Sequence, residues 1–428
     1  MGVENFANVV CLTIYLLIWC FTLVEYQRRK KIFDSGSIII ASYVFYAICS
    51  IVLYHVSVLY YSFKLNILHF IYLYLMLMIA LMPVIKYNPK KINEIVHPTP
   101  WLFYAVCIIF ILASIPKVLS ISTLVSGITQ IVVDSNTGLE KYLESKSMAE
   151  ETGRGVSNLL AIIANSLTYP GILFTFYYFT HNKRNIYLTV GLIASCFIGL
   201  LSFLYIGERG GFFYITVTII VTYFSLRHLM IERITKIINY LGLSLLFIFL
   251  IPIIALTVSR FGEGSFLYNS IIGYIGQGNL NFNIYTFDNN GIRYGDRVFS
   301  LFKEMLGFDN VPRNFVERRL KYPELKINDE VFVTYVGDFV LDFGPIIAFL
   351  IFVIFSLYAY NHTIIKDGKF PFHRLILIHF VICTCMQGGM SLYSFSGTGG
   401  NLSIITYFLL YVVFKFDYDM QNRAKKIT

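Results

Sequence analysis

Charge is scarce in this sequence. Only 14% of the 428 residues are Asp, Glu, Lys or Arg, whereas 57% are hydrophobic. A soluble chain of this length would need far more polar surface. With a mean hydropathy of +0.66, the composition excludes a soluble globular protein and reads as an all-α polytopic membrane protein. Cysteine is missing from the long loops: Cys11, Cys20, Cys49, Cys107, Cys196, Cys383 and Cys385 all fall inside apolar runs. That pattern excludes a disulfide framework and a zinc site. Histidine is absent from the two long outside loops defined below, which removes a Ser/His/Asp triad and a metal-binding histidine cluster there. No Walker motif or nucleotide fingerprint occurs on the inside, and nucleic acid is not an expected partner. The opening MGVENFA has no basic segment, so Phe6 onward reads as an uncleaved first span rather than a signal peptide.

Apolar length is what the chain has in quantity. Eleven windows are near or above the length that crosses a hydrocarbon core. They lie near 6–25, 38–57, 67–85, 101–118, 158–180, 186–206, 212–226, 239–257, 336–360, 375–395 and 402–414. The seventh and eleventh are short, which suits tilt or partial emergence. With the N-terminus outside, the inside segments carry Arg28 to Lys31, Lys86, Lys90, Lys91, Lys183, Arg184, Arg227, Arg233 and Lys236. The same side holds Lys366, Lys369, Arg374 and the basic C-terminus, whereas the short outside turns hold only Lys64 and Arg209. This asymmetry predicts an outside N-terminus and an inside C-terminus. The chain is read as one transmembrane domain, 1–428, with two long outside loops at 117–157 and 258–335. Aromatics, at 17%, suit interfacial belts and sugar-stacking surfaces.

The 258–335 loop, about 78 residues, is a functional suspect, because loops beyond about 15 residues are uncommon unless they carry a site. Within it, Asp296–Gly307 puts Val298, Phe299, Leu301, Phe302, Met305 and Leu306 on a broad apolar face. The pattern predicts a helix capped by Asp296, lying on the outer interface or packed against the spans. A second short helix is expected from Pro312 through PRNFVERRL. Nine basic residues face nine acidic ones, so the loop is no general basic patch, yet six of the nine are arginines. The guanidinium fork suits diphosphates and sugar hydroxyls. The clusters that stand out are Arg293 with Arg297 in GIRYGDR, and Arg318 with Arg319. Solvation, or pairing with Asp296, Glu317 or Glu324, is the plainer role for any one of them.

Three further stretches carry chemistry. GYIGQGNLNFNIYTF, 273–287, mixes Tyr274, Gln277, Asn279, Asn281, Asn283 and Tyr285, either as carbohydrate contacts or as a Gly- and Asn-rich surface turn. NDEVFVTYVGDFVLDFG, 328–344, places Asp338 and Asp342 four apart on one helix face. Carboxylates in the outer turns of a span need an arginine partner or a catalytic task, and pairing with loop arginines is the favoured role. Asp329 and Glu330 lie just outside as candidate general bases. Finally, the outside turn IGERGG, 206–211, sets Arg209 among glycines that allow close backbone approach. Its amides and guanidinium can hold a phosphate at head-group level, or Arg209 snorkels to lipid with Glu208 as partner.

In order and sidedness, GERGGFF (207–213), YIGQGNLNFN (274–283), YGDRVFSLFKEMLG (294–307) and VFVTYVGDFVLDFGP (331–345) resemble the Wzy-type polysaccharide polymerases. The likeness runs over essentially the whole chain and is strongest over 200–345. It implies a GT-C-like bundle in the bacterial inner membrane with its active site facing the periplasm. There a growing glycan would pass from undecaprenyl diphosphate to the non-reducing end of one lipid-linked repeat unit, with no nucleotide sugar, metal or other cofactor. The implied partners are the undecaprenyl-diphosphate-linked oligosaccharide, membrane lipids, a chain-length regulator and a flippase. Arg209 matches the family's Gly-x-Arg-Gly turn, and Arg293 and Arg297 match its loop arginines. The paired Arg-x10-Gly elements of some members have no counterpart in the outside loops. On this reading Arg209 and Arg293 meet the diphosphate, and Asp329 or Glu330 activates the acceptor hydroxyl. Arg297, Arg318, Arg319, Tyr274, Asn281 and Asp338 complete the substrate site. An O-antigen ligase shares the architecture and donor but is associated with an outside-loop histidine. A flippase is expected to show internal repeats, and no convincing repeat is visible here.

Overall fold

A computed structural model describes residues 3–133, 140, 159–207, 209–261, 272–327, 331–388 and 395–427. Its helices, in chain order, are α1 (Val3–Lys30), α2 (Ser35–Val56), α3 (Val58–Tyr61), α4 (Ile67–Lys86), α5 (Pro100–Leu119) and α6 (Ile121–Val133). Then follow α7 (Leu159–Phe179), α8 (Ile186–Tyr205), α9 (Arg209–Leu226), α10 (Glu232–Phe261) and α11 (Gly273–Tyr285). The chain ends with α12 (Ser300–Met305), α13 (Phe315–Lys321), α14 (Thr334–His362), α15 (Phe372–Met386) and α16 (Gly397–Ile427). Ten of the described helices are long and apolar enough to cross a membrane, and the chain is an all-α multi-pass membrane protein.

At the expected tenth span, 375–395, the described helix is α15, 15 residues long and starting three residues earlier, at Phe372, and 389–394 lie outside the described residues. The expected eleventh is no short helix: α16 runs 31 residues, because helix continues through the polar Lys415–Asp419 stretch that ended the apolar window. Both long outside segments contain helix where they are described. Residues 121–133 form α6 and 273–285 form α11, while 134–139, 141–158 and 262–271 lie outside the description.

The chain divides into two compact units. The first comprises 1–88, 267–364 and 377–405. Here α11 crosses α2 at Gly276, where a Cβ would lie 2.5 Å from the Cys49 carbonyl oxygen. Only glycine permits that approach. At the same crossing, Ser50 Oγ donates to the Gly276 carbonyl at 2.8 Å. Asn279, Asn281 and Asn283, all buried, take up the polar groups around the crossing. Asn279 donates to Ser50 Oγ at 3.1 Å. Asn283 exchanges bonds with the Asn66 backbone at 2.7 and 2.9 Å. Buried amides are tolerated because they are bonded.

Helix α14 is broken at Gly344, whose φ of 75° and ψ of 165° lie in a region open essentially to glycine alone. Pro345 follows and starts the next segment with a preset φ. The break leaves an acidic half-helix, 334–343, ahead of residues 345–362. The latter are roughly 27 Å long at about 1.5 Å per residue, enough to cross the hydrocarbon core.

The second unit comprises 89–266, 365–376 and 406–428. Two short parallel strands, β1 (Glu94–Val96) and β2 (Lys369–Pro371), pair with Ile95 opposite Phe370. Beside them the Thr99 hydroxyl donates to Asp417, and the Thr99 amide reaches the same carboxylate at 2.8 Å. Phe103, Phe174, Phe372 and Phe414 stack edge-on and face-on at 5.0–6.1 Å. Part of the aromatic content fills the cores of the two units: Tyr43, Tyr54, Tyr87, Tyr177, Tyr178 and Tyr335 are among the most deeply buried side chains.

Candidate functional site

The segment GIRYGDR reverses direction directly after Arg293. Tyr294 and Gly295 both take left-handed backbone, with φ of 51° and 83°, and a Cβ on Gly295 would meet the Phe343 ring at 3.1 Å. The reversal brings the amides of 297 and 298 back toward the acidic half-helix. Asp342 Oδ2 accepts from the Arg297 amide at 3.1 Å and the Val298 amide at 2.7 Å. Its Oδ1 accepts from Arg293 Nε at 2.6 Å. Arg293 also closes the end of the half-helix: its amide donates to the Leu341 carbonyl at 2.9 Å, and Nη2 donates to the Asp338 carbonyl at 3.2 Å. A cation at the carbonyl end of a helix is favoured by the helix dipole. Asp338 Oδ1 pairs with Arg293 Nη2 at 3.5 Å and with Arg297 Nε at 3.2 Å.

These side chains are nearly dry. Arg293 is 1% exposed, Arg297 6%, and Asp338 and Asp342 0%. Charges removed from water to this degree persist only when paired and hydrogen-bonded. The N-terminal end of α16 holds the segment from the other side: Asn401 donates to the Val298 carbonyl at 2.8 Å and accepts from the Leu301 amide at 3.1 Å. Nearby, the Gly397 amide donates to the Arg297 carbonyl at 3.0 Å.

A second knot surrounds Asp296. It is not the expected helix cap, because residues 296–299 are turn and α12 starts only at Ser300. Its carboxylate is fully buried and accepts from Lys303, from Lys321 Nζ at 2.6 Å and from the Tyr322 hydroxyl at 2.7 Å. Burial alone would raise this carboxyl, but the bonds from Lys303, Lys321 and Tyr322 outweigh it and hold Asp296 below the ordinary aspartate value. Burial first, then the bond to Asp296, push the Tyr322 phenol upward, so it stays protonated as a donor. Helix α13 supplies Lys321. It begins at Phe315, capped by Asn314, which accepts from the Glu317 amide at 2.9 Å, and not at Pro312.

Arg293, Arg318, Arg319, Tyr322 and Lys326 line a cavity of about 110 Å³, closed by Pro323, Leu325 and Ile327. At about 30 Å³ per water, that is room for a few waters or one small anion. In the two knots four cationic side chains, Arg293, Arg297, Lys303 and Lys321, meet three carboxylates, Asp296, Asp338 and Asp342. The two further arginines of α13 make the cavity basic. Asp342, with both oxygens engaged, positions Arg293 rather than serving as a proton acceptor.

The structure therefore brings together Arg293, Arg297, Asp338, Arg318 and Arg319. It does not bring Tyr274 or Asn281 to them. Tyr274 packs on Phe332 at 5.2 Å. Asn281 accepts from Tyr60 Oη at 3.0 Å and donates to the Phe332 carbonyl at 2.9 Å. In place of the surface turn or open sugar contact expected there, Asn281 is buried framing on α11. Asp329, Glu330 and Glu208 lie outside the described residues. Arg209 opens α9, in the second unit, and its side chain also lies outside the description. Sequence reasoning missed Lys303, Lys321, Tyr322 and Asn401. Only Asn401, in the polar GTGGN stretch that begins an otherwise apolar helix, left a readable signal. No protein-family model, curated protein or solved structure matches the chain.

Proposed function

We propose that this protein is a polymerase of lipid-diphosphate-linked oligosaccharide repeat units, of the Wzy type, acting at the periplasmic face of the bacterial inner membrane. The observation that carries the reading is the arginine-lined cavity anchored on the buried Arg293–Asp342 pair beside the break in α14. A lipid diphosphate presents its charge at head-group depth, next to a membrane span. There a guanidinium fixed by two carboxylates costs no reorganisation when negative charge develops on the leaving diphosphate. In this reading Arg293 stabilises the leaving group, and Arg318 and Arg319 hold the anionic substrate at the rim. Arg297 and Asp338 keep Arg293 in place. Asp329 or Glu330 stays the base for the acceptor hydroxyl on sequence grounds. The diphosphate is itself a good leaving group, so the reaction requires charge stabilisation and proximity rather than a cofactor.

The test is direct. Purified protein in detergent is incubated with a lipid-diphosphate-linked repeat unit, and products are sized. Stepwise lengthening by whole repeat units supports the reading. Folded protein that leaves the substrate at one unit, or that only moves it across a vesicle membrane, overturns it.

A further inference from the structure

A cavity of about 680 Å³ in the second unit lies far along the chain from the arginine site. It is a groove between α5 and the start of α8, and nothing in the proposed reaction uses it. Its apolar wall is built by Ile108 and Ile111 of α5 and Leu188 of α8. Tyr104 and Tyr178 form the floor, their rings 6.4 Å apart and edge-on. The rim is the turn before α8, carrying Lys183 and Arg184. Among the lining residues there are two cations and no carboxylate.

The turn is fixed rather than loose. Arg184 Nη1 donates to the Phe179 carbonyl at 3.0 Å, closing α7. The Asn185 amide donates to Tyr178 Oη at 2.6 Å. Asn185 then caps α8 by accepting from the Tyr187 amide at 2.8 Å. Lys183 stands exposed above this frame, and Tyr187, 85% exposed, flanks it. Both α5 and α8 are long apolar helices of membrane-crossing length, so the groove faces hydrocarbon along Ile108 and Ile111 and reaches the interface at Lys183. From Tyr104 to Ile111 is roughly 10 Å along the helix axis, a depth that suits an acyl chain and is more than a free anion needs.

We propose that this groove binds an anionic glycerophospholipid, with its phosphate against Lys183 and Arg184 and one acyl chain along Ile108, Ile111 and Leu188. Charge complementarity at the rim, apolar length below it and exposed tyrosines at the boundary are what such a lipid matches. A zwitterionic lipid would satisfy the apolar wall but leave the two cations without a net counter-charge.

The experiment uses the full-length protein purified from cells and exchanged into nanodiscs of phosphatidylcholine with a small fraction of phosphatidylglycerol. Native mass spectrometry after gentle delipidation counts the lipids retained. Wild type is expected to retain phosphatidylglycerol in preference to phosphatidylcholine. Lys183→Gln is expected to weaken that retention about five-fold, the effect of one basic residue near an anionic surface. Ile108→Trp, which fills the groove without touching the charges, is expected to abolish retention with the rim intact. Equal retention of both lipids by wild type, or unchanged retention in Lys183→Gln, overturns the proposal. So does competition by inorganic phosphate alone with Ile108→Trp unaffected, which would make the rim a simple anion site.

Discussion

Asp342 Oδ1 lies 2.6 Å from Arg293 Nε, with the two side chains 0% and 1% exposed. The pair welds the reversing segment 293–298 to the acidic half-helix. Removing one partner leaves the other buried and uncompensated, which typically costs about 3–5 kcal/mol. We therefore expect Asp342→Ala to lower the thermal midpoint in detergent steeply. The double substitution Arg293→Met with Asp342→Leu should lose less than the two single losses combined. Tryptophan fluorescence or size-exclusion after heating reads both. Additive losses would mean that the pair is not coupled.

Asp296 gives the stability a pH signature. Its folded carboxyl titrates below the ordinary value of 3.8, so its contribution is present above that value and is lost as pH falls through the lower, folded pKa. The wild-type stability curve is thus expected to drop on its acid side below about pH 4. In Asp296→Asn the curve should start lower at neutral pH and be flatter in that window. An identical acid limb in both proteins would show that Asp296 gains nothing from Lys303, Lys321 and Tyr322.

Gly344 tests the break in α14. Any side chain at a φ of 75° and ψ of 165° is strained, by about 1–3 kcal/mol. Gly344→Ala should be destabilised by that amount although its Cβ would find open space, the nearest atom being 4.0 Å away. If the variant is as stable as wild type, the helix runs through this position unbroken.

Arg318→Ala with Arg319→Ala addresses the proposed chemistry separately from the fold. Both sit on the short α13, and Arg319 is exposed, so the melting midpoint should move little. Repeat-unit lengthening should fall roughly 10²-fold, the range in which charge-stabilising donors act. Unchanged turnover would remove the cavity from the mechanism.

Much of this was legible beforehand, for physical reasons. Apolar length marks a span whatever its neighbours do, so the windows near 6–25 and 186–206 coincide with α1 and α8. The spacing of Asp338 and Asp342, with arginines upstream, announced a buried pairing because carboxylates at that depth need cations. Helix α11 was not legible. Three glycines and three asparagines within Gly273–Tyr285 disfavour helix locally, and they are present because Gly276 must touch the α2 backbone and the amides must satisfy it. That is a tertiary demand with no local trace. Asp296 was misread for a similar reason: the residue type fits a cap, but its partners Lys303 and Lys321 come from elements whose placement the sequence does not state.

The pairing of β1 with β2 has a consequence for biosynthesis. Glu94 leaves the ribosome long before Lys369, and at about 5–20 residues per second the first strand waits roughly 15 to 55 s for the second. Thr99 waits longer still for Asp417, and the first unit needs residues up to 405. Neither unit can therefore close as it emerges. Each unit is complete only once α15 and α16 have joined the earlier spans, so these two helices supply the closing contacts of both.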